Sequence, residues 1–248
     1  MTKSVLILAG RRPGPDPLLS EYGDLPSKAL IEVGGRTMLS RVAEAVGAAL
    51  PEAKVLVSGL PAERAEPYGD TVRGGEGPAA AVLAGAEGAA FPLLVTTADH
   101  ALLSVKTVSR FVTEAQDQKS DLVVGLADRR TVEARFPGHK RTFIRLSDRS
   151  FTGCNLFYMR SEKALAVARF WRKLEAHRKR PFKLASEIGP SVLLRFALQA
   201  LSTEQLFSQL ERKTGVSIGA VYLPAEAAVD VDKPSDLTLV EEILAGRA

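Results

Sequence analysis

What this chain has little of narrows its function before any motif is considered. A single cysteine, Cys154, in 248 residues excludes an intramolecular disulfide framework and fits a reducing cytoplasm. Three histidines beside that lone cysteine argue against a zinc centre, which draws mainly on those two residue types. Aromatic residues make up only 6%, and no nucleic-acid-binding motif accompanies them, so no nucleic-acid partner is expected. No uninterrupted apolar stretch reaches membrane-spanning length, and the apolar run near the N-terminus is too short for a secretory signal. Two nucleotide-binding signatures are also missing. No Gly-Lys-Ser/Thr closes a P-loop, and Pro13, Pro15 and Pro17 would block the helix that must follow at once in a dinucleotide-binding turn.

The composition that remains is that of a folded globule. A hydrophobic share of 46% suffices for a core, and the length fits one large domain or one domain with a sizeable insertion. Apolar periodicity predicts strands at 5–9, 54–58, 92–97 and 121–126, separated by helices at 37–50, 78–90 and 105–116. Such alternation implies parallel strands joined by right-handed crossovers, with helices on both faces. Short strands are then predicted at 131–135, 142–146 and 155–159 with no helices between them, an antiparallel patch. Residues 161–213 read as helical, broken at Pro181 and at Gly189-Pro190. Strand character returns at 216–223 and 228–231, and a last helix starts near Pro234. The expected fold is α/β, a Rossmann-like three-layer sandwich with a mixed, mostly parallel sheet. Residues 1–160 and 214–248 form its body, and 161–213 form an inserted helical subdomain.

Two features carry chemistry. The first strand ends at Ala9-Gly10, and a Gly/Pro loop with Arg11 follows, then Lys28. A glycine there lets backbone N–H groups approach a ligand, and fixed positive charge suits the phosphates of a nucleotide. The second feature is acidic. Asp99 ends "LLVTTAD", just past the carboxyl end of a central strand, where open α/β sheets bind ligands. The next helix starts near Ser104, so Asp99 is not needed as its cap. Asp230 and Asp232 in "VDVDKPSDL" lie two apart, and on a strand they would face one way. Asp236 supports the opening turn of the last helix. Two carboxylates from distant segments opposite a phosphate loop suit Mg²⁺, a hard cation that takes oxygen ligands.

Basic residues cluster at Arg160, Lys163, Arg169, Arg172, Lys173, Arg178, Lys179, Arg180 and Lys183. A solvated helix face is the preferred reading of this run; attraction of a phosphorylated substrate or of an anionic membrane surface is a lesser one, and nucleic acid is the weakest.

Taken in order, "LILAGRR…SKALIEVGGRTML", "GGEGPAAAVLAG", "LLVTTADHALL", "FTGCNLF" and "VDVDKPSDL" resemble the motifs of MobA-like nucleotidyltransferases, a branch of the nucleotide-diphospho-sugar transferase fold. The resemblance implies Mg²⁺-dependent transfer of a nucleoside monophosphate from a nucleoside triphosphate to a phosphorylated small-molecule acceptor, with release of pyrophosphate. It places Ala9, Gly10 and Arg11 along the triphosphate and Lys28 on phosphate oxygens. Gly77 and Pro78 would lie near the base or ribose. Asp99 and Asp232 would hold Mg²⁺, with Asp230 as the substitute. Gly153 and Asn155 would approach the acceptor, and Arg141 is a further candidate to meet its charge. The loop departs from the family pattern in holding three prolines rather than extra glycine. A catalytically silent nucleotide-binding regulator on the same fold is the alternative. Neither the base nor the oligomeric state is legible from these residues.

Overall fold

A computed structural model describes residues 1–11, 14, 16–23, 25–177, 183, 186–187 and 189–247. Its centre is a mixed sheet with strand order β10-β7-β9-β6-β1-β4-β5, and β8 pairs on the side of β9. The strands are β1 (Ser4–Leu8), β4 (Lys54–Ser58), β5 (Asp70–Val72), β6 (Leu93–Thr97), β7 (Leu122–Asp128), β8 (Ile144–Arg145), β9 (Ser150–Met159) and β10 (Ile218–Tyr222). A separate two-stranded hairpin joins β2 (Glu32–Val33) to β3 (Arg36–Thr37). β1 runs parallel to both β4 and β6, β4 to β5, and β10 to β7, whereas β9 runs antiparallel to β6 and β7. The sheet is thus mostly parallel, with one reversed strand near its middle. Two short helices, α1 (Leu19–Tyr22) and α3 (Ala62–Ala65), lie in the connections that follow β1 and β4.

Alternation along β1 shows how the layers form. Val5 and Ile7 face one side, against α2 (Met38–Ala49), α5 (Val105–Asp117) and the last helix, α10 (Pro234–Leu244). Leu6 faces the other side, against α4 (Pro78–Ala86) and α7 (Leu165–His177). Successive strand residues point to opposite faces, so an apolar run of this kind belongs to a strand covered on both sides. The result is a three-layer α/β sandwich of Rossmann-like type. Leu126 and Phe151 form a third cluster with Val192 of α8 (Pro190–Ala197) and Leu201, against which Leu206 and Phe207 of α9 (Thr203–Thr214) pack. No described helix is long and apolar enough to cross a membrane.

Three local expectations differ from what is observed. Residues 131–135 lie in a helix, α6 (Arg129–Arg135), because Asp128 accepts a hydrogen bond from Arg130 N at 2.9 Å and caps its start. Residues 228–231 join no strand ladder: Ala225–Ala228 form a 3-10 turn, and Val231 N donates instead to Asp99 O at 3.0 Å. The strand expected at 142–146 shrinks to Ile144–Arg145. The helical break expected at Pro181 lies outside the described residues, as do Arg178, Lys179 and Arg180 of the basic run. Two of its described members have structural partners. Arg160 donates to the carbonyls of Ala115 and Ser120 around the end of α5, and Lys163 pairs with Asp121 at 2.7 Å.

Helix-to-sheet distance is set by Gly85 of α4. A Cβ there would lie 2.7 Å from Leu6 Cδ1, and Leu6 is fully buried and cannot retreat. Gly47 of α2 has open space around it. Gly85→Val should destabilise the protein by about 1–3 kcal/mol through overpacking, and less in a Leu6→Ala background. Gly47→Ala should stabilise it by about 1 kcal/mol through helix propensity. Urea denaturation of the unaltered protein, the three single variants and the Leu6→Ala/Gly85→Val double variant checks these signs.

Candidate functional site

The carboxyl ends of β1, β4 and β6 lie level, with Leu8 opposite Ser58 and Thr97. The chain leaving β1 is held tightly. Ala9 N donates to Ser58 O at 2.9 Å, and Gly59 has φ +89° with room for no side chain, since a Cβ would lie 2.5 Å from Gly10 Cα. Ser27 Oγ donates to Ala9 O at 2.6 Å and accepts from Ala29 N at 3.2 Å. That buried hydroxyl fastens the 3-10 turn Lys28–Leu30 onto the end of β1, which sets Lys28 at the sheet edge.

A cleft of about 360 Å³ opens at this edge. Ala9, Gly10, Arg11 and Lys28 line one part of it, Gly77 and Pro78 another, and Asp99 and Asp232 a third. Gly77 has φ +102°, a conformation that favours glycine, and Pro78 then starts α4 without needing an N–H. Asp99 lies two residues beyond β6, and Ser104 caps α5 by accepting from Thr107 N at 3.1 Å, so Asp99 has no capping duty.

At the centre of the cleft is a charged triad. Lys28 Nζ lies 2.8 Å from Asp99 Oδ2 and 2.5 Å from Asp232 Oδ1, and it also donates to Val231 O at 2.8 Å. The partners come from segments up to 204 residues apart in sequence. Asp99 and Lys28 are 12% and 19% exposed, whereas Asp232 is 52% exposed, so Asp232 is the carboxylate on the solvent side. Burial alone would lower the pKa of Lys28, but the two carboxylates outweigh it and hold the ammonium above its ordinary value. Burial pushes Asp99 up, and Lys28, with smaller help from Thr97 and His100, more than offsets this, so Asp99 stays below the usual carboxylate range. Its other oxygen, Oδ1, is buried with no hydrogen-bond partner. Asp232 is steadied from behind: Asp236, buried at the start of α10, accepts from both Asp232 N and Lys233 N at 3.0 Å.

The donor set fits a hard divalent cation. Two carboxylates whose oxygens both reach one ammonium can also reach one metal ion, and an uncommitted buried oxygen is available on Asp99. Among the described residues no group of three or more acidic, histidine or cysteine side chains is placed to hold a metal without other ligands. A Mg²⁺ site completed by phosphates and water does not need one.

Arg141, Gly153, Asn155 and Asp230 do not line this cleft. Arg141, Asn155 and Asp230 form a neighbouring polar cluster instead, and Gly153 lies on β9 opposite Leu126. Arg141 makes an ion pair with Asp230, and Asn155 Nδ2 donates to the same carboxylate at 3.3 Å. Asp230 and Asp232 therefore have different partners, since the segment carrying them is not a strand. The position of Asn155 follows from a bulge: between Val124↔Phe157 and Leu126↔Gly153, Gly125 alone faces three residues of β9. Asn155 has φ +50° there, a left-handed conformation that asparagine tolerates. Burial pushes the pKa of Asp230 up, opposed by Arg141. His100, fully enclosed behind Asp99, is driven by burial down to about 4 and is neutral.

Sequence reasoning missed Ser27, Asp16, Gly75 and Thr97, which also line the cleft. Of these only Ser27 left a signal, as the residue just before Lys28 in "SKAL". The role of Asp236 in steadying Asp232 was not visible beyond its expected support of α10.

The fold, with its cleft at the β1 edge, is that of a nucleotidyltransferase family. The chain belongs to the family described as the MobA-like NTP transferase domain, whose model matches residues 5–181. Among solved structures, a hypothetical transferase from Thermus thermophilus is 32% identical, with 96% of this chain and 100% of that chain covered and a TM-score of 0.81. The 2-C-methyl-D-erythritol 4-phosphate cytidylyltransferase of the same organism is 21% identical over 99% of this chain and 100% of its own, with a TM-score of 0.56. A CMP:2-keto-3-deoxy-manno-octonic acid synthetase complexed with CTP is 15% identical, covers both chains fully, and has a TM-score of 0.61. These last two show the shared fold. A search of curated proteins gave no match.

Cys154, beside Asn155 on β9, is buried, and burial pushes its thiol up to about 12. It should resist iodoacetamide at neutral pH in the folded protein and react readily in denaturant, because the thiolate is the nucleophile. Mass spectrometry of the alkylated chain checks this, and rapid labelling of the native protein would contradict the burial.

Proposed function

We propose that this chain is a Mg²⁺-dependent enzyme that moves a nucleoside monophosphate from a nucleoside triphosphate to a phosphorylated small-molecule acceptor. The observation that carries this reading is the convergence of Asp99, Asp232 and Lys28 at the end of β1. Backbone at Ala9 and Gly10 runs along the triphosphate, Lys28 and Arg11 offset its charge, and Gly77 and Pro78 lie toward the base or ribose. Residues 1–160 and 214–248 supply this nucleotide site; of 161–213, α7 packs beside α4 near Gly77, and α8 and α9 lie toward the acceptor side.

In the reaction, an oxygen of the acceptor phosphate attacks the α-phosphorus. A new P–O bond forms as the bond to the α–β bridging oxygen breaks, and its electron pair leaves with pyrophosphate. An ionised phosphate carries no proton that must be removed, so the site needs no general base. Its work is positioning and charge neutralisation. Lys28 and Arg11 stabilise charge gathering on the departing pyrophosphate. Asp99 and Asp232 would hold Mg²⁺, which would supply Lewis acidity toward phosphoryl oxygens there. The second cluster, Arg141 with Asn155 and Asp230, lies beside Gly153 and offers a guanidinium to the acceptor's phosphate. Asp230 orients that guanidinium rather than binding metal.

The four nucleoside triphosphates with Mg²⁺, screened first for thermal stabilisation and then for acceptor-dependent pyrophosphate release, test the proposal. One triphosphate should stabilise the protein, and phosphorylated acceptors alone should support release. Stabilisation without pyrophosphate across a broad acceptor set would favour the silent regulator. Asp99→Asn and Asp232→Asn should each lower kcat by about two orders of magnitude or more, several kcal/mol of barrier, while circular dichroism stays unchanged. Near-normal turnover by either variant would remove the assignment.

A further inference from the structure

Lys28 Nζ is enclosed by three protein oxygens: it donates hydrogen bonds to Asp232 Oδ1 and Val231 O, and it forms an ion pair with Asp99 Oδ2 at 2.8 Å. In that arrangement the ammonium is committed to the protein rather than to a phosphate. The same two carboxylates are the ones suited to a divalent cation, and a divalent ion held by them, even through the second oxygen of each, would lie within a few ångströms of the ammonium and be repelled by it. The two assignments given to this site, Lys28 on phosphate and Asp99 with Asp232 on metal, are therefore both opposed by the closed triad.

We propose that Lys28 is an internal cation that competes with the divalent ion for Asp99 and Asp232, and that the triphosphate settles the competition by accepting the displaced ammonium. This rests on the nucleotidyltransferase reading above and adds a linkage to it. Metal entry frees Lys28 for phosphate, phosphate capture of Lys28 frees the carboxylates for metal, and each ligand tightens the other by the same factor. The geometry favours such an exchange. Asp232 is the exposed member, so the triad can open from its solvent side while Asp99, buried and backed by the Val231–Asp99 backbone bond, stays in place. Asp236 holds the Asp232 backbone throughout, so the carboxylate does not drift when Lys28 leaves. The consequence is a site that takes metal weakly without nucleotide.

The test is Mn²⁺ binding without nucleotide, followed by electron paramagnetic resonance on the full chain. Lys28→Met should bind Mn²⁺ at least about tenfold more tightly than the unaltered protein, within the usual range of such couplings. Lys28→Gln, which keeps a polar group in the turn, should shift affinity the same way and serves if the Met variant fails to fold. Unchanged or weaker binding in the folded variants overturns the competition. The Asp99→Asn/Asp232→Asn double variant separates the two ideas. If it retains the Mn²⁺ binding of the unaltered protein, the metal assignment itself fails. If it loses that binding while the Lys28 variants gain nothing, only the competition fails. A reciprocal readout needs no variant: saturating Mn²⁺ should speed reductive methylation of Lys28, measured by peptide mass spectrometry, and no change in that rate counts against the exchange.

Discussion

Two carboxylates held within reach of one point repel each other unless positive charge lies between them, and this constraint organises the whole β1 edge. Asp99 comes from the end of β6, Asp232 from the approach to α10 and Lys28 from a turn pinned to β1. None of the three segments is near another in sequence. The sheet order brings β6 beside β1, the Val231–Asp99 backbone bond brings in the C-terminal segment, and the Ser27 hydroxyl sets the lysine. The ammonium then offsets a repulsion that would otherwise oppose folding. Removing one partner of a buried charge group leaves the others uncompensated, which is costly. The fold and the site are therefore stabilised by one interaction, and any ligand that opens the triad must replace what it removes.

Close backbone approach is the second requirement. Gly10 and Gly59 touch where β1 and β4 end, and a side chain at Gly59 would force them apart. Gly85 does the equivalent one layer below, letting α4 settle onto Leu6. Because α4 begins at Gly77-Pro78 on the cleft wall, the packing of its far end against β1 also fixes where its first turn meets the cleft.

The parallel core was legible because its strands are apolar runs covered on both faces, as in Val5–Ala9 and Leu93–Thr97. Asp99 was legible for a related reason: it directly follows such a run, at the edge where open α/β sheets bind ligands, whereas Lys28 was legible only as the basic residue after the loop that leaves β1. What failed was local. Residues 131–135 alternate like a strand, yet the Asp128 cap starts a helix. Residues 228–231 look like a strand but satisfy their backbone through turns and Asp99, so Asp230 and Asp232 go to different partners. Ser27 acts through a hydrogen bond to the distant Ala9 carbonyl and Asp236 by accepting from the backbone of Asp232 and Lys233, and no periodicity encodes such bonds. The grouping of Arg141 with Asn155 depends on a bulge whose presence only the strand register reveals.

The most direct measurement of the central claim is an anomalous difference map at the manganese edge, from crystals grown with Mn²⁺ and the triphosphate that stabilises the protein best. The account predicts a peak between Asp99 and Asp232, with Lys28 turned onto a phosphate oxygen at the end of β1. A nucleotide bound elsewhere, or a peak away from those two carboxylates, would contradict it.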